Sequence, residues 1–391
     1  MSQIETLIER FCPNGVEYQT LEDVLDYEQP TKYLVESTNY SSDYSTPVLT
    51  AGQTFILGYT NEVSGIYEAN KINPVIIFDD FTTAFKWVDF RFKAKSSAMK
   101  MLNLKPEAQT SLKFVYFWMT SIKFQPKDHA RHWISTYSKF RFPLLPLEVQ
   151  QEIVRILDTF TELEAELEAE LEARKQQYEH YRNRLLSFPD GNVRRVPLGE
   201  FAELIRGNGL PKADFTESGV PAIHYGQIYT HYKTWAIETK SFVAEVTSRK
   251  LAKVLPGDLV ITNTSENLED VGKAVAWLGS RTAVTGGHAT VIRHKQNPKY
   301  LAYYFQTSQF SIDKAKLAKG TKVMDVSAKD LAKISVPLPA IEMQEQIVKI
   351  LDAFELLTRS LSEGLPAEIE ARRKQYEHYR DRLLTFKELA A

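Results

Sequence analysis

Two stretches of the chain place apolar residues three or four positions apart, which is the spacing of an amphipathic helix. The first stretch runs from about Leu147 to Leu186 and contains neither Gly nor Pro. A helix of about 40 residues would be about 60 Å long, and a lone helix of that length needs a partner to cover its apolar stripe. The stripe consists of Ile153, Leu157, Phe160, Leu163, Leu167, Leu171, Tyr178, Tyr181 and Leu185.

The second stretch repeats the first and is the predicted partner. The segment "QQEIVRILDTF" at 150–160 returns as "QEQIVKILDAF" at 344–354, and "QYEHYRNRLL" at 177–186 returns as "QYEHYRDRLL" at 375–384. Because Gly364 lies inside the second pattern together with Pro366, a kink or a turn is expected there. The second stripe consists of Ile347, Leu351, Phe354, Leu357, Tyr376, Tyr379 and Leu383.

The regions outside these helices carry short β-rich runs between turn residues, such as "PVIIF" at 74–78 and "DLVIT" at 258–262,. We therefore predict an α+β fold with two mixed α/β domains, separated by a pair of long antiparallel helices that form a coiled coil. The internal repeat makes the chain pseudo-twofold. The predicted segments are a first domain at 1–145, a central helix at 146–188, a second domain at 189–337 and a final helix at 338–391.

Composition favours a cytoplasmic protein. Cys12 is the single cysteine, which excludes an intramolecular disulfide framework and favours a reducing compartment,. The sequence contains no run of about 20 apolar residues, which a membrane-spanning helix would need. We therefore expect no contact with a membrane.

The overall charge of −2 hides a strong division along the chain. Residues 191–337 contain 20 basic and 13 acidic side chains, and residues 86–141 contain 12 basic and 3 acidic ones. The first helix, at 147–187, has 5 basic and 10 acidic side chains. Basic regions interleaved with aromatic and amide side chains are typical of surfaces that contact nucleic acid. A solvated basic face is the alternative that charge alone leaves open.

The motifs of common catalytic sites are absent from the sequence, which contains no GxxxxGK[ST], GxGxxG, HExxH or GxSxG,. Asp79 and Asp80 could bind a metal, but a strand-end turn is the better interpretation. The glycines at 286–287 form either an anion-binding nest or a turn between strands. We predict neither a catalytic residue nor a metal ligand.

The two predicted helices have similar starts and similar ends, and the second contains "SEGLPAEIEARRKQYEHYR" at 362–380. In these features the chain resembles the specificity subunits of Type I restriction-modification systems, and the resemblance covers nearly the whole chain. The resemblance implies two target-recognition domains that each read one half of a split, asymmetric sequence in double-stranded DNA. It implies a non-catalytic chain without a cofactor. Two methyltransferase subunits would carry S-adenosylmethionine, and two restriction subunits would use ATP and Mg. The alternatives are a DNA enzyme in one chain and a coiled-coil scaffold that binds DNA without reading its sequence.

The central helix contains the word ELEA three times, at 162–173. The resemblance suggests a tandem spacer repeat. Four helical residues turn the helix by a net angle of about 40° and lengthen it by about 6 Å, and one base pair of DNA turns by about 34–36°. We therefore expect deletion of 166–169 to shorten the gap in the DNA target by about one base pair. Simple helix propensity of Glu and Ala is the alternative explanation.

Candidate contact residues were chosen by chemistry and position in predicted loops, because no family motif fixes them. The candidates for DNA in the first domain are Thr82, Thr83, Lys86, Arg91, Lys93, Lys95, Ser96, Lys100, Lys127 and Arg131. Those in the second domain are Lys212, His224, Tyr225, Gln227, Tyr229, Asn263, Ser265, Asn267, His288, Lys319 and Lys322. The candidates for methyltransferase docking are Tyr178, Arg182, Tyr376 and Arg380.

Overall fold

The computed structural model describes residues 3–52, 54–189 and 191–389, without the side chains of 357–363. The chain forms two compact units. Unit 1 comprises Met1–Glu168 and Ala367–Ala391, and unit 2 comprises Ala169–Pro366. Each unit therefore contains one globular domain, the start of the long helix that follows this domain and the end of the other long helix. The side chain of Leu357, one residue of the predicted stripe, lies outside the described residues.

The globular part of unit 1 is built mainly on antiparallel strands, with Thr46–Leu49 parallel to Lys93–Ala94. A four-stranded sheet has the order Leu25–Glu28, Met99–Leu104, Val75–Asp79, Phe85–Val88, and a three-stranded sheet has the order Ile56–Thr60, Thr46–Leu49, Lys93–Ala94. Strand Glu17–Thr20 pairs with Arg141–Leu144 where the chain enters and leaves the domain. The helical segments are Gln3–Phe11, Leu21–Val24, Pro30–Tyr33, Leu112–Ser121 and Tyr137–Lys139.

The globular part of unit 2 contains two five-stranded sheets within the described residues. The first sheet has the strand order Glu203–Arg206, Ala289–Arg293, Leu259–Thr262, Ala274–Trp277, Trp235–Ala236. The second sheet has the strand order Phe215–Thr216, Ser241–Val243, Val220–Ile223, Ala283–Thr285, Ala252–Val254. Two short pairs join Arg195–Pro197 to Ser335–Pro337 and Thr264–Ser265 to Met324–Asp325. The helical segments are Lys212–Asp214, Leu198–Phe201, Tyr225–Thr230, Glu245–Ser248, Pro298–Tyr304, Ser308–Ala315 and Ala328–Leu331.

The two long helices have the predicted positions. The first long helix is Leu147–Leu185, with 39 residues, and the second long helix is Ile341–Leu383, with 43 residues. Their first turns enter the domain cores, since Ile153 and Leu157 in unit 1 and Leu351 in unit 2 are fully buried. None of the helices in the described part of the chain is long and apolar enough to cross a membrane.

A buried glutamine joins each long helix to its domain. In unit 1, Gln150 donates to Leu145 O at 2.7 Å and accepts from the backbone N of Ser111 at 2.8 Å. In unit 2, Gln344 donates to Pro339 O at 2.9 Å and accepts from the backbone N of Asn297 at 3.0 Å. Ser111 and Asn297 are N-cap residues of the helices Leu112–Ser121 and Pro298–Tyr304. The same contact therefore fixes a short helix against the long helix in both units.

Aromatic stacks join the two long helices within each unit. Phe160 stacks on Tyr379 in unit 1 with ring centroids 5.5 Å apart, and Phe354 stacks on Tyr181 in unit 2 at 5.2 Å. Further along the first helix of unit 1, Glu164 and Glu168 pair with Arg373. From Phe160 to Glu164 the contacts move toward the C-terminus of the first long helix, and their partners, Tyr379 and then Arg373, move toward the N-terminus of the second. The two helices in this unit are therefore antiparallel.

The second long helix continues through Gly364 and Pro366. Of the two outcomes expected from the sequence, a turn is therefore excluded. A proline inside a helix costs about 3 kcal/mol because it removes one hydrogen bond and its ring meets the preceding turn. Burial of Leu365 and Ile369, which are 8% and 6% exposed, opposes that cost, since most helical stability in proteins comes from packing.

Candidate nucleic-acid interface

In unit 1 the turn between strands Val75–Asp79 and Phe85–Val88 is fixed by its first residue. The Asp79 carboxylate accepts from the backbone N of Thr82 at 2.8 Å and from its hydroxyl at 2.9 Å. Thr83 takes a positive φ of 58° and donates its N–H to Asp79 O. Asp79 is thus the strand-end turn residue that the sequence favoured, and it presents Thr82 to solvent.

Asp80 ties this turn to the loop that precedes Tyr137–Lys139. Its carboxylate lies 3.2 Å from the Lys100 amine, and both side chains are 2% exposed. The same carboxylate accepts from the backbone N of Trp133 at 2.9 Å, and Asp80 O accepts from His132 N at 2.8 Å. Within the described residues, no three His, Cys, Asp or Glu side chains converge as a metal site would need.

The fixed turn and loop together carry a set of residues that we call the unit 1 surface: the half-buried Phe81 and the exposed Thr82, Lys127, His129 and Arg131. The His129 ring stacks on Phe81 with a centroid distance of 4.5 Å and an interplanar angle of 10°. The Arg131 guanidinium lies 6.0 Å from the centre of the same Phe81 ring. Phe81 and His129 are 48 positions apart; His129 lies within the candidate stretch 127–131, whereas Phe81 was not among the sequence-based candidates.

Three candidates in unit 1 have internal partners, and we withdraw them as DNA contacts. Lys93 is buried, lies 2.5 Å from Glu62 and donates to Ser64 O. Lys100 is buried against Asp80, and Thr83 is only 7% exposed. Breaking such buried ion pairs to reach DNA would leave unpaired buried charges, which is costly.

The other candidates in unit 1 lie outside the unit 1 surface. Arg91 and Lys95 are exposed, and Lys95 donates to the Tyr40 hydroxyl at 3.2 Å. Lys86 is half-buried on its strand, and Ser96 accepts from Ala98 N in a turn. These four remain candidates for phosphate or base contact.

In unit 2 the corresponding cluster, the unit 2 surface, consists of Tyr225, Tyr229, Thr264, Ser265 and His288. The rings of Tyr225 and His288 have centroids 4.8 Å apart. The His288 Nδ1 lies 2.9 Å from the Thr264 hydroxyl, and the Tyr229 hydroxyl donates to Thr264 O. Burial raises the pKa of Tyr229 to about 12, so this hydroxyl keeps its proton at neutral pH.

Two lysines flank the unit 2 surface because of a short strand pair. Met324–Asp325 pairs with Thr264–Ser265, and the turn before it carries exposed Lys319 and Lys322. Lys319 lies 3.4 Å from Asp330, a surface ion pair of small energetic weight,.

Three candidates in unit 2 have structural roles, and we withdraw them as well. His224 caps helix Tyr225–Thr230 by accepting from Gly226 N at 3.2 Å. Burial lowers the pKa of His224, and the nearby charge of Lys212 lowers it further, which keeps this cap neutral. Asn263 is fully buried and donates to Val326 O, and Gln227 donates to the Ser241 hydroxyl at 2.6 Å.

The remaining candidates and the glycine pair have plain positions. Lys212 is exposed near His224, and Asn267 is exposed with its side chain bonded to Asp270. Gly286 is buried, and a Cβ there would lie 2.5 Å from the Leu210 Cβ. The glycines at 286–287 therefore allow a close backbone approach in a turn between strands, and this geometry favours the turn over an anion-binding nest.

The four docking candidates pack against their own units. Arg182 is 9% exposed and lies over the Tyr178 ring at 5.2 Å, and burial raises the pKa of Tyr178 to about 12. Arg380 lies over Tyr376 at 5.8 Å and donates to Asp381. We withdraw the two arginines as docking residues, because their charged groups serve internal contacts. The exposed side chains of the segments 177–182 and 375–380 are Gln177, Glu179, His180, Gln375, Glu377, His378 and Tyr379.

Comparison with known proteins adds independent information. The family model "Type I restriction modification DNA specificity domain" matches residues 13–173 and 191–371. The chain is 42% identical to the Type I restriction enzyme EcoR124I/EcoR124II specificity subunit of Escherichia coli, over 99% of this chain and 97% of the relative. It is 28% identical to a putative type I restriction enzyme specificity subunit of Haemophilus influenzae, over 99% of this chain and 100% of that relative.

Solved structures support the fold. A chain from work on complex assembly and conformational transition of the type I R-M system matches with a TM-score of 0.57 at 18% identity, covering 95% of this chain and 98% of that one. The Type I restriction-modification S subunit from M. genitalium matches with a TM-score of 0.51 at 16% identity, covering 94% and 95%. The protein therefore belongs to the family of Type I restriction-modification DNA specificity subunits.

Proposed function

We propose that this chain reads a split DNA sequence, with the unit 1 surface contacting one half-site and the unit 2 surface the other. One observation carries the proposal. Equivalent residues, Gln150 and Gln344, hold the two domains on repeated helices, whereas the exposed clusters of the two domains have different residues. A common support with two different exposed surfaces is what independent reading of two half-sites requires.

The chemistry of both surfaces suits DNA. Lys127 and Arg131 in unit 1, and Lys319 and Lys322 in unit 2, are exposed cations that can contact phosphates and so position the duplex. Polar side chains between them, such as Thr82 and Ser265, can hydrogen-bond to base edges in the major groove. Cationic contacts supply affinity, and the polar contacts supply discrimination.

We further propose that the chain is a non-catalytic subunit that binds no cofactor. In this account two methyltransferase subunits bring S-adenosylmethionine, and two restriction subunits bring the use of ATP and Mg. The relative that bears the name EcoR124I/EcoR124II specificity subunit is described as part of a restriction enzyme, which supports assembly with other subunits. Exposed side chains near the helix ends, including His180 and His378, are where we place docking.

Co-expression with the methyltransferase subunit from the same operon tests the reading of DNA. Methylated adenines are mapped across the host genome by single-molecule sequencing. A two-part motif with a fixed unspecified gap is expected. No new methylation, with a verified active partner and a stable complex, would favour the scaffold that binds DNA without reading sequence. Methylation or cleavage of DNA by the purified chain alone would contradict the non-catalytic role.

The ELEA repeat is proposed to set the length of the gap. Leu163, Leu167 and Leu171 are all half-buried, and Glu166 is exposed on the uninterrupted first long helix. Deleting 166–169 removes one complete unit, preserves the stripe and shortens the helix by about 6 Å.

The expected result is a methylation motif with a gap about one base pair shorter and with both half-sites unchanged. Deletion of the three residues 166–168 is the matched control, because it turns the helix by about 60° the other way and should abolish methylation. An unchanged gap after the four-residue deletion would contradict the spacer role.

A further inference from the structure

Each of the two candidate surfaces presents one exposed histidine that rests on an aromatic ring. In unit 1, His129 lies flat on Phe81 at 4.5 Å, and in unit 2, His288 lies against Tyr225 at 4.8 Å with a tilt of 46°. Both imidazoles are exposed. By contrast, His132 in unit 1 and His224 in unit 2 also contact aromatic rings but are buried. Their exposed fractions are 7% and 6%.

We propose that His129 and His288 are specificity-determining residues, each donating a hydrogen bond to a purine base edge in one half-site. The proposal rests on the proposed function, and it names the side chains that do the reading. The acceptors in question are N7 of either purine and O6 of guanine, which face the major groove. A neutral imidazole offers one N–H donor and one acceptor nitrogen.

The surroundings of His288 select which of its nitrogens faces the ligand. Its Nδ1 lies 2.9 Å from the Thr264 hydroxyl, and in the described part of the chain its Nε2 has no hydrogen-bond partner. When the Thr264 hydroxyl donates to Nδ1, the proton of the neutral ring is on Nε2. The free nitrogen is then a donor that points away from the protein's own partner, which is the role that a purine N7 requires.

The backbone of His288 is anchored in the core of unit 2. Its carbonyl accepts from the N–H of Asn263 at 2.9 Å, and the Asn263 side chain is in turn fully buried and bonded to Val326 and Thr290. This explains why Asn263, a sequence-based candidate, has no exposed atom to offer. Its function is to hold the residue that does.

His129 is positioned differently but to the same effect. Phe81 belongs to the turn that Asp79 and Asp80 fix, and the ring of His129 stacks on it at an angle of only 10°. A stacked ring exposes its edge, which carries both nitrogens, and neither nitrogen has a partner among the described residues. Arg131 lies over the same Phe81 ring. The hydrogen-bond donor His129 and the cation Arg131 are therefore held by the same aromatic side chain.

Preorganisation gives these two side chains an advantage over flexible lysines. A ring held on an aromatic neighbour loses little rotamer freedom on binding, so more of the hydrogen-bond energy remains for discrimination. A good base contact discriminates by roughly 10-fold or more against a wrong base. Removing it should therefore relax one position of the motif and leave the others intact.

The test is to co-express wild-type, His129→Ala and His288→Ala chains with the methyltransferase subunit and to map methylated adenines genome-wide. We expect each variant to lose roughly 10-fold or more of its discrimination at one purine position, in different half-sites for the two variants. His129→Phe and His288→Phe keep an aromatic ring but lose both nitrogens, so they should relax the same positions. His231→Ala, at an exposed histidine of unit 2 outside the unit 2 surface, should leave the motif unchanged.

The outcomes separate this inference from the proposed function. A two-part wild-type motif that both alanine variants retain in full would overturn the role of the histidines and leave the split recognition standing. Phe variants that retain the motif, beside Ala variants that relax it, would overturn hydrogen bonding as the mechanism. If the wild-type chain itself directs no two-part motif, the proposed function fails.

Discussion

The two units hold their long helices with the same residue types but expose different ones. In unit 1, Lys113 lies 3.1 Å from Asp158 and 4.4 Å from the centre of a ring of Trp87. In unit 2, Lys299 lies 2.7 Å from Asp352 and 3.7 Å from the centre of a ring of Trp235. Unit 1 builds its exposed surface from a strand turn and a long loop, whereas unit 2 uses a short helix and two turns.

This contrast separates support from recognition. A cation held between a carboxylate and an indole ring is well satisfied, so the three residues of each set act as a joint between a helix and a domain. The same joint can carry domains with unrelated exposed loops. Residues that recur in both units are thus expected to affect stability, and residues present in one unit alone are expected to affect which bases are read.

Removing the buried glutamines should have the largest effect and should be similar in the two units. Gln150→Ala leaves the Ser111 N–H and Leu145 O without their partner, and Gln344→Ala does the same for Asn297 N and Pro339 O. We expect each variant to lose about 3 kcal/mol of stability. Native-state hydrogen exchange should report the loss in the affected unit.

The exposed helix variant Gln176→Ala, which removes only a bond to Glu172, is the control for the glutamine pair. An effect in one unit and none in the other would contradict the equivalence of the two joints.

Low pH should lower the stability of unit 2 through a half-buried histidine of that unit, His294. Burial lowers its pKa to about 4 despite the opposing effects of Asp258 and of the Gln296 backbone hydrogen bond, and its Nε2 is buried without a partner. The unfolded chain binds this proton below about pH 6.5, so stability is complete above that pH and falls as the pH drops toward 4. The loss from this group should reach about 2 kcal/mol at pH 5.

Denaturant unfolding at pH 7 and pH 5, followed by hydrogen exchange in each unit, measures this loss. In His294→Leu the difference between the two pH values should shrink by about 2 kcal/mol. An unchanged pH dependence in that variant would rule out His294 as its source.

Tyr303 marks a chemical difference inside the otherwise common joint. Its hydroxyl donates to Asp352 at 2.8 Å and to Glu355 at 2.6 Å, whereas Phe117 occupies the corresponding position after Lys113 in unit 1. Tyr303→Phe converts unit 2 to the arrangement of unit 1, and we expect a loss of about 1 kcal/mol. Thermal unfolding should show it. No change would mean that Lys299, which donates to Asp352, and Thr234, whose hydroxyl donates to Glu355 at 3.3 Å, satisfy the two carboxylates alone.

Asn183→Asp should have the smallest effect and the opposite sign. In unit 1, Arg380 pairs with the next residue, Asp381, but in unit 2 the residue after Arg182 is Asn183, which accepts from Ser308 N. An aspartate at 183 keeps the hydrogen bond from Ser308 N and adds an ion pair with Arg182. We expect this pair to stabilise unit 2 by about 0.5 kcal/mol at low salt. The melting temperature should rise slightly, and the gain should disappear in high salt.

The long helices could be predicted from sequence because their pattern is local and repeated, and the starts of both stripes are buried as expected. The candidate surfaces could be predicted only in part. Lys93 is withdrawn because its partner Glu62 is 31 positions away, and a sequence does not show which strand face a lysine occupies. Phe81 was missed for the same reason, since the His129 ring that stacks on it belongs to another loop. Pro366 does not end the second long helix, because packing outweighs a local preference,.

Exchange of one domain tests the central claim, that a common support carries two independent readers, most directly. Residues 198–337 are replaced by residues 21–143, which begin and end at equivalent points: Leu21 N donates to Phe140 O, and Leu198 N donates to Ile334 O. The chimaera is co-expressed with the methyltransferase subunit, and methylated adenines are mapped. Both halves of the motif should then carry the sequence that the first domain reads. Retention of the wild-type second half-site by a methylating complex would contradict the account.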